Sequence, residues 1–129
     1  RAAATNTVNH PTSYFIARHL PRVFVERVDT VTGLGTDRAR ELGAAGRFHD
    51  LRAIVTNLAV LDLTGPDHTM AVRSIHPGVD IDEVIAATGF ALHVPSTVSQ
   101  TRSPDNVELR IIRTHLDPNR LRDREVPPR

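Results

Sequence analysis

The chain contains no cysteine and no lysine. Without cysteine there is no disulfide, no thiolate nucleophile and no cysteine-based zinc site. Without lysine there is no amine for Schiff-base chemistry. All 16 basic residues are arginine, 15 residues are acidic, and the formal net charge is +1. That balance gives no electrostatic argument for a nucleic-acid partner or an anionic membrane. No apolar run is long enough to span a bilayer, and the first residues carry no signal-peptide pattern. These absences together lead to the expectation of a cytoplasmic protein. Methionine occurs once, at Met70, and the first residue is Arg1. The chain therefore reads as a fragment of a longer polypeptide, one that starts in the middle of a fold.

What is present suits one domain. At 129 residues, a chain of this size buries about two-thirds of its unfolded surface. The apolar and charged fractions, 40% and 24%, are those of an ordinary globular chain. Residues 1–10 are small and polar and read as a loop. Ser13 to Ala17 (SYFIA) and Arg22 to Val28 (RVFVERV) read as strands, the second buried on both faces. Thr30 to Arg47 is a glycine-punctuated connection with a short helix over Asp37 to Leu42. The apolar run AIVTNLAVLDL, Ala53 to Leu63, is interrupted at Thr56-Asn57, which predicts two strands or one bent one. After a turn at Thr64 to Asp67, Met70 to Ile75 completes an antiparallel hairpin.

Asp80 is placed to cap a helix, with Glu83 completing a capping box, Val79 and Val84 forming a staple, and Gly89 just past the end. Phe90 to Val94 reads as a further strand. Ser103 caps a second helix with Pro104 at its first position, and Asp117-Pro118 ends it. The charged, proline-rich tail lies on the surface or is loose. The result is an α/β chain with a mixed sheet.

The sequence offers little overt chemistry. Seven histidines are present, but no HxH or HExxH spacing, so no metal site is expected. No GxGxxG follows a strand, and there is no P-loop and no GxSxG elbow. His68 falls in a turn and His76 before Pro77-Gly78, so both read as punctuation around a strand. Asn57 and Asp62 lie within apolar sequence and read as structural hydrogen-bonding groups. The most site-like segment is the first. Asn6, Asn9, His10, Thr12, Ser13 and Tyr14 gather polar groups just before a strand, behind the small residues Ala2 to Ala4. Such a loop could offer amide donors to a thioester oxygen or a phosphate. On the residues alone, a ligand loop and a plain polar loop remain equally open.

Several strings carry a family resemblance. AIVTNLAVLDL, IHPGVDIDEVIAATGF and RVFVERVD resemble, in order and spacing, segments of the β subunit of class I coenzyme A transferases. The resemblance covers essentially the whole of 1–129, as the C-terminal portion of a β subunit whose N-terminal part is missing. NTVNHPTSYFIARH, FHDLRAIVTNLAVLDLTGPDHTM, RSIHPGV and LDPNRLRDRE are similar to an actinobacterial hydrolytic branch of that superfamily. That branch acts on steroid-ring intermediates as CoA thioesters and uses water to open the last ring.

The resemblance implies a CoA-transferase-like fold, an open mixed sheet flanked by helices, present here as a partial domain. It implies an α subunit as partner, in a heterodimer or heterotetramer, with the active site between the subunits. It implies an acyl-CoA substrate, coenzyme A as part of that substrate, and no permanently bound cofactor. The principal catalytic glutamate is expected outside this chain, on the α subunit in the hydrolytic branch. Asn6, Asn9, His10, Ser13 and Tyr14 are then the expected substrate-binding residues. The alternatives are a true transferase subunit or a scaffold subunit that only completes a partner's pocket. The chain departs from the transferase pattern at its start. Ala2, Ala3, Ala4 and Thr5 stand where glycines are usual, Asn6 keeps the asparagine, and Thr7 replaces the aspartate. Alanine does not readily take positive φ, which tells against a transferase-type oxyanion loop.

Overall fold

The computed structural model describes the backbone of residues 2–126 and the side chains of residues 6–126. Arg1 and the proline-rich end of the tail, 127–129, lie outside the described residues. Strands β1 (Pro11–Ile16), β2 (Asp50–Thr56), β3 (Ala59–Asp62), β4 (Ala71–Ile75) and β5 (Ser99–Gln100) form one sheet in that spatial order. The middle three are an antiparallel meander, while β1 joins β2 and β5 joins β4 in parallel. Helices α1 (Ala2–Asn9), α2 (Thr36–Glu41), α3 (Ile81–Ala86), α4 (Asn106–Ile111) and α5 (Arg122–Glu125) accompany the sheet. This is the open mixed sheet with helices that the sequence implies. Among the described residues no helix is long and apolar enough to cross a membrane.

Thr56 explains why the longest apolar run turns where it does. Its hydroxyl donates to the Ala59 carbonyl at 3.1 Å and accepts the N–H groups of Leu58 and Ala59 at 3.1 and 3.0 Å. One side chain closes the whole connection, and β3 returns along β2 with Ile54 opposite Leu61 and Val55 opposite Val60. Alternation then aims Ile54, Ala59 and Leu61 inward. They meet Val72 of β4, Val79 just before α3, Val84 within it, Phe24 and Leu58 in one core cluster. Asn57 and Asp62 are structural, as expected. Asn57 Oδ1 accepts the His19 N–H at 2.7 Å, and Asp62 Oδ1 accepts both the N–H and the hydroxyl of Thr64.

Several local expectations are corrected. Residues 2–9 are helical rather than a loop. Ala2 to Ala4 are strong helix formers, and the surrounding polar residues conceal that preference in a hydropathy reading. Arg22 to Val28 is not a strand. It turns, with the Val23 and Phe24 N–H groups both donating to the Leu20 carbonyl, and its one β-type pairing is an isolated Val25–Gly89 bridge. Phe24 is buried, but Val23 and Val28 are 45% and 51% exposed, so two-sided burial does not hold. Phe90 to Val94 forms no strand either. His93 alone bridges, to Ala71, pairing with the backbone of Met70 and Val72.

The helix caps also shift. Asp80 caps α3 through the N–H of Asp82 rather than that of Glu83. The second helix starts at Asp105, not Ser103. Asp105 accepts the N–H groups of Val107 and Glu108, and Glu108 returns a bond to the Asp105 N–H, which is a complete capping box. Gly89 does not close α3 in a left-handed conformation. A Cβ there would lie 2.6 Å from the Phe24 carbonyl oxygen, so glycine is needed for close approach.

Candidate functional site

The segment singled out in sequence, Asn6 to Tyr14, spans the last turn of α1, a tight link and β1. Helical spacing gives it an order that a loop would lack. Asn6, Asn9 and His10 stand three and four positions apart, so they share one helical face, and all three are exposed. Thr7 looks the other way and is 2% exposed. Its hydroxyl oxygen accepts the Leu34 N–H at 2.8 Å, tying α1 to the connection before α2. Its carbonyl accepts the Nδ1–H of His49 at 2.6 Å, tying the same turn to the start of β2. The outward amide and imidazole groups therefore ride on an anchored turn.

Two features modify the expectation for this segment. In a helix the N–H groups of residues 6–9 point back to carbonyls one turn earlier. The capacity offered outward by Asn6 and Asn9 is thus in their side chains, not in free amides as a loop would provide. The structure also divides the set. Strand alternation puts Ser13 and Phe15 on one face of β1 and Tyr14 and Ile16 on the other. Ser13 follows a register irregularity against β2, between Thr12 and Ser13. The Tyr14 hydroxyl packs near Gly33, where a Cβ would come within 3.1 Å. Asn6, Asn9 and His10 come together, whereas Ser13 and Tyr14 face apart and cannot both meet one ligand on the same side.

A second polar cluster has no sequence signal beyond its residue types. His19 is 2% exposed and lies between two threonines, with Nδ1 at 3.1 Å from Thr56 Oγ1 and Nε2 at 2.9 Å from Thr88 Oγ1. Its ring stacks on Phe24, with centroids 3.9 Å apart. Burial lowers the His19 pKa below its ordinary value. This histidine joins the β2–β3 turn to the end of α3, so it belongs to the scaffold. His76 plays a similar part, between Thr101 Oγ1 and the Thr56 carbonyl. His68 is exposed in the turn, against Arg40. Among the described residues no group of three or more histidines and carboxylates could hold a metal ion.

No family model matches the chain. Among characterised proteins it is 48% identical, over 98% of its length, to the "Cholesterol ring-cleaving hydrolase IpdB subunit" of Rhodococcus jostii (strain RHA1), covering 50% of that protein. It is 32% identical, over 76% of its length, to one subunit of the 3-oxoadipate CoA-transferase of Pseudomonas knackmussii, covering 38% of that protein. The crystal structure of Rhodococcus jostii RHA1 IpdAB superimposes with a TM-score of 0.92 at 48% identity, covering 99% of this chain and 52% of that one. Glutaconate coenzyme A-transferase from Acidaminococcus fermentans superimposes with a TM-score of 0.80 over 93% of this chain and 46% of that one, at 23% identity, a likeness of fold alone. The chain spans about half the length of the curated relatives it matches.

Proposed function

The chain belongs to the class I coenzyme A transferase superfamily, and on that footing we propose that it is the C-terminal portion of the β subunit of a heteromeric acyl-CoA hydrolase. Its substrate is a steroid-derived CoA thioester, and water opens a ring of that substrate. The observation that carries the hydrolytic reading is the disparity between relatives. Identity is 48% over 98% of the chain with a ring-cleaving hydrolase subunit, against 32% over 76% with a transferase subunit.

In this reading the α subunit supplies the glutamate that activates water as a general base. The exposed face of Asn6, Asn9 and His10 lines the pocket from the β side. Of the two strand residues, Ser13 and Tyr14, one contributes. The amides and the imidazole orient the acyl-CoA through side-chain hydrogen bonds, on a turn held by Leu34 and His49. Coenzyme A enters as part of the substrate, and the assembled enzyme works in the cytoplasm.

The test is co-expression of the full-length chain with its α partner and assay on ring-containing CoA thioesters. The expected result is water-dependent ring opening that neither subunit achieves alone. If the complex only exchanges CoA between carboxylic acids, it is a transferase. Replacing Asn9 or His10 with Ala should change KM or kcat of the complex. If both constants stay the same, the chain is a scaffold subunit.

A further inference from the structure

The start of β2, the end of β3 and Arg73 in the middle of β4 border a cavity of about 530 Å³, none of whose lining residues belongs to the Asn6–Asn9–His10 face. His49 and Thr36 stand on one side of it and Arg73 on another, with Leu51 and Leu63 as its apolar lining. The orientation of His49 is fixed. A carbonyl oxygen only accepts, so the 2.6 Å bond to the Thr7 carbonyl keeps the proton on Nδ1. Nε2 is left toward the cavity, with Thr36 Oγ1 3.4 Å away.

The charges around the cavity are unevenly matched. Asp50 is paired with Arg52 at 2.7 Å, and Asp62 accepts both donors of Thr64. Arg73 has no ion-pair partner among the described residues, and neither does Arg40, which rests against the His68 ring at the rim. An unpaired guanidinium, a threonine hydroxyl and an imidazole with one oriented nitrogen form a set of groups for a tetrahedral oxyanion. A guanidinium binds two phosphate oxygens side by side. A P–OH group can donate to the His49 Nε2 lone pair. The cavity exceeds the size of a bare phosphate, and its leucines suit an organic remainder.

We propose that this cavity binds a phosphate monoester, with Arg73 as the charge partner and His49 as the oriented hydrogen-bonding partner. The carrier is either a separate phosphorylated metabolite or, if the function proposed above holds, the 3′-phosphate of coenzyme A. Because His49 also holds the Thr7 carbonyl, an occupied cavity reinforces the turn that carries Asn6 and Asn9.

The test is calorimetric titration of the full-length chain, with its α partner, using adenosine 3′-phosphate, with adenosine as control. The expected result is binding that adenosine lacks, weakened tenfold or more by Arg73→Ala. His49→Asn retains a donor toward Thr7 and removes the cavity-facing nitrogen, so it should weaken binding while leaving the Tm within a few degrees. Equal affinity for adenosine and its 3′-phosphate overturns the proposal, and so does unchanged binding in Arg73→Ala, an exposed position that folding tolerates. Coenzyme A and its 3′-dephosphorylated form identify the carrier. A difference between them that Arg73→Ala abolishes assigns the site to the coenzyme. Equal binding of the two, with adenosine 3′-phosphate still dependent on Arg73, assigns it to a separate metabolite. The readout is binding, so a failed hydrolase assay leaves it intact.

Discussion

His19 and Thr88 meet across the core, imidazole Nε2 to hydroxyl oxygen at 2.9 Å. The Thr88 hydroxyl hydrogen is already committed to the Val84 carbonyl at 2.8 Å, so its oxygen accepts and Nε2 donates. At the other nitrogen, Thr56 Oγ1 already accepts two amides, and its one hydrogen is shared between the Ala59 carbonyl and Nδ1, each 3.1 Å away. The neutral ring with its proton on Nε2 suits both threonine oxygens. A second proton would face an oxygen with no acceptor capacity to spare.

That arrangement sets a pH dependence. Burial lowers the His19 pKa in the folded chain, so the unfolded chain binds protons more readily. Stability from this group is present above the unfolded value of 6.5 and is lost as pH falls toward the folded value. Urea midpoints measured at pH 7.5 and pH 5.5 should fall with acidity. His19→Phe keeps a ring against Phe24 and should flatten that dependence. An unchanged slope would remove His19 as its source.

Two glycines should respond differently to alanine. At Gly78 φ is +78° and nothing lies within 4 Å of a new Cβ, so only backbone strain of about 1–2 kcal/mol is expected. Gly78→Asn should recover part of it. At Gly89 the Cβ would sit 2.6 Å from the Phe24 carbonyl oxygen, which also accepts the Gly89 N–H at 2.7 Å. Gly89→Ala should separate the Val25 bridge from the end of α3 and cost more than Gly78→Ala by thermal unfolding.

Thr7→Val preserves shape and removes the acceptor for the Leu34 N–H. Leaving that part-buried donor unmatched should cost about 1–3 kcal/mol. Hydrogen exchange should accelerate at Leu34 specifically. If only global stability changes, the bond is not what holds the connection to α1.

At the start of α4 the Arg102 guanidinium pairs with both oxygens of Glu108 at 2.8 Å and holds its carboxyl down to about 2. A lowered carboxylate contributes stability above its unfolded pKa, 4.5 here, and loses it as pH falls toward 2. Fraying of α4, followed by amide exchange at Val107 and Glu108, should increase across that window. High salt should reduce the effect, because the pair is exposed. Glu108→Gln should show the frayed state already at neutral pH.

The sequence shows most clearly what local chemistry decides. The break at Thr56-Asn57, the turn before β4 and the Asp80 cap are legible because one side chain or one dipeptide controls each. Arg22 to Val28 misleads because its alternation resembles a strand, while the burial of Phe24 on His19 and the bond from Gly89 hold it as a turn. Gly89 is far away in the chain and His19 lies before the segment, so neither leaves a periodicity within it. The Asn6 to Tyr14 segment is visible by composition alone. That Asn6, Asn9 and His10 share a face, and that Ser13 and Tyr14 do not, depends on a helix anchored inward through Thr7. His49 carries no signal in sequence, because its importance lies in which carbonyl it meets.

The parallel pairing of β1 with β2 has a kinetic consequence. The β2–β3–β4 meander is built from neighbours, and Ile54 finds Leu61 across a turn that Thr56 closes alone. Pro11 must find Asp50 across the whole intervening connection. Non-local pairing bears its loop-closure entropy before any contact rewards it. The meander is therefore the part that nucleates, and β1 arrives late, bringing α1 with it. The face carrying Asn6, Asn9 and His10 is therefore assembled after the meander, not with it.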